Sequence, residues 1–248
     1  MIDYEISDIR KFTKMVAPTA DFDGAFTFYY DETNNIKKFY VRENDFNYTF
    51  TANFVLGGLV HSGQSPNVQP LIDSFKLQKT ATEVKFKHIA SGQFLDCLKS
   101  EKLKLFLQFL RDNDLYVHYS SLNVLYWSLV DIVDSAIVSS EAAQQLGPQF
   151  SNHLKNDLYK LSRLEIDAVI DLFYRYEYPN IKSDSVLPFI EELTSLFDAY
   201  IDTQEFHFGL ESLRQILKEA KKKGSLPFIQ DEDDYILLKD LSHFYLRP

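Results

Sequence analysis

Asp31 and Glu32 close the apolar run FTFYY at residues 26–30. A carboxylate at the end of a buried strand is held rigidly where the strand opens to solvent. It is therefore placed to ligate a divalent cation or to meet a substrate. The same "DETNN" stretch also serves as an ordinary turn facing water, because Asp and Asn hydrogen-bond their own backbone where chains reverse. Farther on, Glu83 and Lys85 sit two residues apart in "TEVKFKHI". On a strand that spacing projects both side chains from one face. An acid that holds a cation, beside an ammonium that steadies phosphoryl oxygens, is a combination suited to cutting phosphodiesters. An exposed strand of alternating charge has the same spelling. Asp240, in "YILLKDLSHF", borders an apolar face that Ile236, Leu237, Leu241 and Phe244 make at helical spacing. It reads as a fixed ligand or as a solvated helix residue. Asp131 and Asp134 in "LVDIVDS", and Asp202 after "FDAYI", are further acids whose surface reading is the simpler one.

Other chemistries find little here. The six histidines, at 61, 88, 118, 153, 207 and 243, form no H-x-x-x-H pair. His88 and His118 fall in strand-like stretches and read as core or rim residues. There is no nucleophile elbow, no phosphate-binding G-x-x-x-x-G-K and no G-x-G-x-x-G. Cys97 is the one cysteine, so it has no internal disulfide partner and no Cys partner for zinc.

The elements that must position these groups follow from periodicity. Residues 25–31 read as a strand, and "KKFYV" (37–41) as the second arm of a hairpin across "TNN". Residues 51–61 read as a third strand, in which Gly57 and Gly58 signal a bulge or a close backbone approach. A short helix is expected over 67–77 and a strand over 82–89, where Val84, Phe86 and His88 alternate with Glu83, Lys85 and Lys87. A helix over 101–114 and a strand over 115–122 follow. The character then turns helical: 122–137, 156–176, a helix opened by Pro188, and 208–223 ending in cations and Gly224. A last helix is expected over 235–246.

Composition bounds the class. Hydrophobic residues make up 45% and charged residues 25%, as in ordinary globular proteins. With 21 Phe and 15 Tyr the chain can bury a substantial interior. No apolar stretch approaches the roughly 18 residues of a membrane span. The opening "MIDYEISDIRKF" lacks the order of a signal peptide, so a cytoplasmic protein without membrane contact is expected. The net charge of −10 counts against a broad non-specific nucleic-acid surface, but empty carboxylate clusters also carry negative charge that cations neutralise.

Taken together, "FYYDETNN", "ANFVLGGLV", "TEVKFKH" and "YILLKDLSHF" resemble the family catalogued as domain of unknown function thirty-eight hundred. Its pattern is a strand ending in Y-x-D-E-S/T, a strand close to F-x-L-G-G, an E-x-K, and a late helix with Q-x-A-D. Here Thr33 and Asn34 stand where Ser and Gly are usual, and "LLKD" replaces Q-x-A-D. The resemblance implies an α/β (α+β) fold: a ribonuclease-H-like mixed sheet with a large helical insertion. It places a core at about 25–122 plus 200–248 and the insertion at about 123–199, within one domain, 1–248. It also implies a metal-dependent nuclease, in a setting of phage defence or mobile elements. Asp31 and Glu32 match the D-E, Glu83 and Lys85 the E-x-K, and Asp240 the late acid. On that reading Asp31, Glu32, Glu83 and Asp240 hold two Mg²⁺ or Mn²⁺ ions, roughly 3.5–4 Å apart, and Lys85 meets the scissile phosphate of RNA or DNA.

Two alternatives remain. Asp73 followed by Glu83-x-Lys85 mimics the D…E-x-K of the restriction-endonuclease-like fold, in which Asp31 would lie away from the metal. A non-catalytic interaction protein is the other, with the long helical region 122–220 as a surface for a partner or a second copy.

Overall fold

The computed structural model describes residues 6–19, 23–49, 52–78, 81, 83–230 and 232–239. Asp240, with the remainder of the expected last helix, lies outside the described residues. The chain is mixed α/β and about half helical. Helix α1 (Ile6–Val16) precedes β1 (Phe26–Thr33), β2 (Phe39–Tyr40) and β3 (Phe54–Ser62). Short helices α2 (Gln69–Ser74), α3 (Phe86–Ile89) and α4 (Phe94–Cys97) lead to α5 (Glu101–Asp112) and β4 (Tyr116–Leu122). Then come α6 (Val124–Val138), α7 (Glu141–Gln144), α8 (Gly147–Leu164), α9 (Ile166–Arg175), α10 (Val186–Ser195), α11 (His207–Lys223) and β5 (Ile236–Leu238). Packing divides the chain into two compact units. One comprises the chain to Asp31 with Gly57–Tyr119, the other Glu32–Leu56 with the chain from Ser120.

In the first unit the sheet order is β1-β3-β4, with β3 between the other two. Gly58 accounts for a close approach here. A Cβ built on it would stand 2.0 Å from the Tyr29 carbonyl oxygen and 2.8 Å from Tyr30 Cδ1. Over that bare position the rings of β1 and β4 meet. Phe28 stacks on Tyr30 at 5.7 Å, His118 abuts both at 5.9 and 5.6 Å, and Tyr30 Oη lies 2.9 Å from His118 Nδ1. On the other strand face Tyr29 stacks on the buried His61 at 5.8 Å.

The second unit is a helical core. Helix α6 is apolar nearly all round, and Leu125, Ile132 and Val133 are fully buried, the pattern of an interior helix. It packs on α8 and α11, which bring Leu154, Leu158, Leu210, Leu213 and Leu217 to the same interior. Serines inside this core are satisfied locally: Ser128 and Ser162 each donate to the carbonyl four residues back, and Ser135 Oγ accepts from the Phe228 amide. Aromatic rings continue the interior from Phe39 to Phe46 (5.1 Å), Phe173 (6.5 Å) and Tyr178 (4.0 Å).

Four local expectations are corrected. Strand β2 does not form a hairpin arm with β1; it pairs antiparallel with β5, Phe39 opposite Leu238. On its other side β2 is held by Asn47, which accepts from the Tyr40 amide and donates to the Lys38 carbonyl. Residues 83–85 are a loop and 86–89 the helical turn α3, so 82–89 is no strand among its described residues. Residues 236–238 are a strand where a helix was expected; Tyr235, at φ 65°, turns the chain into it. The span 156–176 is two helices, broken at Glu165.

Candidate functional site

Within the first unit, the segment from α2 to α5 encloses a cavity of about 560 Å³. Among the described residues its charged lining is Lys76, Lys85, Lys87 and Lys102, with His88 and a single carboxylate, Glu83. Each wall has a local cause. Phe75 is buried and anchors the end of α2. Lys76 then takes φ 48°, a left-handed conformation that turns the chain sharply and is costly for a side chain with a Cβ. Helix α3 begins with a reciprocal pair: the His88 amide donates to the Lys85 carbonyl (2.8 Å), and the Lys85 amide donates to His88 Nδ1 (3.1 Å). That second bond leaves Nδ1 as an acceptor, so the neutral ring carries its proton on Nε2. Helix α5 is tied on by Ser100, whose hydroxyl donates to the Ile89 carbonyl (2.5 Å) while capping Leu103. Lys102 Nζ donates to the His88 carbonyl at 3.1 Å.

Glu83 and Lys85 are brought together at 2.7 Å, although from a loop rather than a strand. The Lys85 hydrogen bond, and then its charge, hold the Glu83 carboxyl below its ordinary pKa; Lys85 is raised by the same contact. Glu83 is thus an ionised oxygen donor at neutral pH and no reservoir of protons. Both side chains are exposed, so the pair is a weak stabiliser.

The acids of β1 lie elsewhere in the chain's organisation. The strand continues through Thr33, so Asp31 and Glu32 project to opposite faces. Both are exposed, and Glu32 accepts from Asn35 Nδ2 at 2.9 Å. Asp31 closes the first unit's segment and Glu32 opens the second's. Asp73 is occupied by Gln69 Nε2 at 2.8 Å, one helical turn away, and does not line the cavity. Asp134 pairs with Lys155 at 2.8 Å, and Asp202 is exposed. Among the described residues no group of three His, Cys, Asp or Glu side chains is arranged to hold a metal ion. The described acids alone therefore do not make the shell of a two-ion centre.

Lys76, Lys87 and Lys102 were not singled out by the sequence pattern, and His88, read there as a core or rim residue, lines the cavity. The K-x-K of 85 and 87 was its only trace; the other two lysines join it through the fold.

The second unit has a cavity of about 380 Å³ beside Trp127, Asp131, Tyr178, Phe228 and Glu232. Glu232 is taken by Lys239 at 2.8 Å. Burial first, and then the Asp134 charge, push the Asp131 carboxyl up to about 6; Lys155 opposes this and Glu232 adds to it. A raised carboxyl disfavours the folded state above its own pKa, and that penalty is relieved as pH falls through it. Asp131→Asn is thus expected to raise Tm at pH 8, with the gain shrinking through pH 6 and gone near the ordinary carboxylate pKa of about 4. Thermal melts across that range check this, and a carboxyl NMR midpoint near 4 in place of about 6 contradicts it.

Compared with protein-family models, curated proteins and solved structures, the chain matches none.

Proposed function

We propose that the chain acts on nucleic acid, holding a phosphodiester in the cavity between α2 and α5 and cleaving it with Mg²⁺ or Mn²⁺. The observation that carries the binding half is the cavity's charge: among its described residues four ammonium groups face one carboxylate, in a protein whose net charge is −10. Concentrated Lys side chains in a concave site are what a phosphate backbone selects, since its affinity comes from cations that displace its counterions. The hydrolytic half is supported by the sequence pattern and by the ionised Glu83 beside Lys85. In this reading Asp31 and Glu83, both of the first unit, are the oxygen donors, and bound ions would supply Lewis acidity. Lys85 and its neighbours bind and orient the phosphate, and His88 offers Nε2–H to a phosphoryl oxygen.

Labelled RNA and DNA incubated in Mg²⁺, Mn²⁺ or EDTA test the reading. Cleavage that needs the metal and is lost in Asp31→Asn and Glu83→Gln, with melting preserved, supports hydrolysis. Binding in EDTA isolates the other half. Lys87→Ala and Lys102→Ala are each expected to weaken it and to reduce the slope of log K against log salt by roughly 0.7–0.9 per lost phosphate contact. Full cleavage by Asp31→Asn removes the catalytic assignment. Salt-independent binding, or none, removes the cavity's role.

A further inference from the structure

The first unit leaves aromatic rings of its sheet in water. On β1, Phe26, Phe28 and Tyr30 are alternate residues and so share one face. His118 of β4 reaches Phe28 and Tyr30 across the bare Gly58, and Tyr116 lies two residues before it on the same side. Phe26 is 46% exposed, Phe28 40% and Tyr116 65%. The cluster is also held still: Tyr30 is fixed to His118 by its hydroxyl, and Phe28 is stacked on Tyr30.

We propose that this ring face stacks the bases of a single-stranded nucleic acid, so that the substrate proposed above is single-stranded. The inference rests on that reading, because the lysine cavity of the same unit supplies the charge complementarity that selects nucleic acid over an apolar protein segment. Bases in a duplex are already stacked and turn only their edges outward, whereas an unpaired strand offers its π-faces to rings. Flat rings exposed next to fixed polar contacts suit this occupant, and stacking tolerates any base sequence.

The test is fluorescence anisotropy in EDTA, which reads binding without cleavage. Short labelled single strands of RNA and DNA are compared with a duplex of equal length. Tyr116→Ala and Phe28→Ala are each expected to weaken single-strand binding roughly tenfold or more, and to leave duplex binding unchanged. Tyr116 is the more exposed ring, so its removal leaves the fold intact, and Phe28→Tyr is expected to restore binding that Phe28→Leu does not. If Lys87→Ala weakens binding but both ring variants bind single strands as the wild type does, the stacking face is refuted and the nucleic-acid reading survives. If the wild-type protein binds no nucleic acid, both fall. Light scattering that shows a dimer dissociated by Tyr116→Ala would assign the face to a second copy and overturn the proposal.

Discussion

Gly58→Ala is expected to destabilise the first unit by about 3 kcal/mol, the upper end of overpacking costs, while Gly57→Ala one residue away is neutral or slightly stabilising. The difference comes from what each new methyl meets. At Gly57 nothing lies within 4 Å. There Ala removes the backbone entropy of a strand glycine, worth about 0.5–1 kcal/mol. At Gly58 the methyl would stand 2.0 Å from the Tyr29 carbonyl oxygen and 2.9 Å from its carbon. Those are backbone atoms, so no rotamer change relieves the contact. Strand β1 must retreat from β3 over Tyr29 and Tyr30, and the rings of Phe28 and His118 lose their seat. For a chain of this size 3 kcal/mol is a drop in Tm of roughly 6–12 °C. Thermal melts measure the sum, and hydrogen exchange at the β1 amides locates it. Equal melting of the two variants would mean that β1 and β3 do not approach as described. Because the rings of Phe28, Tyr30 and His118 meet over that position, Gly58→Ala should also impair single-strand binding.

Gly58 shows what was readable in the sequence. The pair "GG" inside an apolar strand announces close approach, and the fold supplies the partner. Helices α5, α6 and α11 were equally legible, because periodicity and caps agree. Ser100 and Asn123 cap α5 and α6 through their side chains, and Gly224, at φ 65°, ends α11. Where the reading failed, tertiary contacts outweighed a short local pattern. The alternation in 82–89 has strand period, but it finds no neighbouring strand; Phe86 is 60% exposed, and the His88–Lys85 exchange closes a helical turn instead. Ile236 and Leu237 sit at spacing that suits a helix face, yet Phe39, nearly two hundred residues earlier, offers a strand partner to Leu238. No local rule foresees pairing at that separation. The site divides the same way. Glu83 and Lys85 were visible as a pair and are one, at 2.7 Å. The lysines that surround them come from α2 and α5, and only folding puts them on one cavity.

The second large effect is expected in the helical unit, at the crossing of α8 and α11. Asp157, on α8, is 2% exposed, and its Oδ2 lacks a well-aligned hydrogen bond. His153 Nε2 stands 3.2 Å from that atom and Lys160 Nζ 3.7 Å from the other oxygen. Burial is the largest influence on this carboxyl and raises its pKa, with the charges of His153 and Lys160 opposing. The helix opposite makes room with Gly209, where a Cβ would lie 2.0 Å from Oδ2 and 2.8 Å from Cγ. Gly209→Ala is therefore expected to cost about 2–3 kcal/mol, since a short buried side chain cannot swing clear. In an Asp157→Ala background the carboxylate is gone and the nearest remaining atom, Asp157 Cβ, stands at 3.1 Å, so the same change should cost roughly 0.5 kcal/mol or less. The double-mutant cycle isolates about 2 kcal/mol of coupling, which urea melts can resolve. pH gives an independent check. The folded carboxyl is raised, so its charged form burdens the fold above the folded pKa and is relieved as pH falls through it. Wild type should therefore gain on Asp157→Ala as pH is lowered from 8 into the acid range. A difference between the two proteins that does not change with pH, together with an additive cycle, would show that Gly209 is not there to accommodate a buried charge.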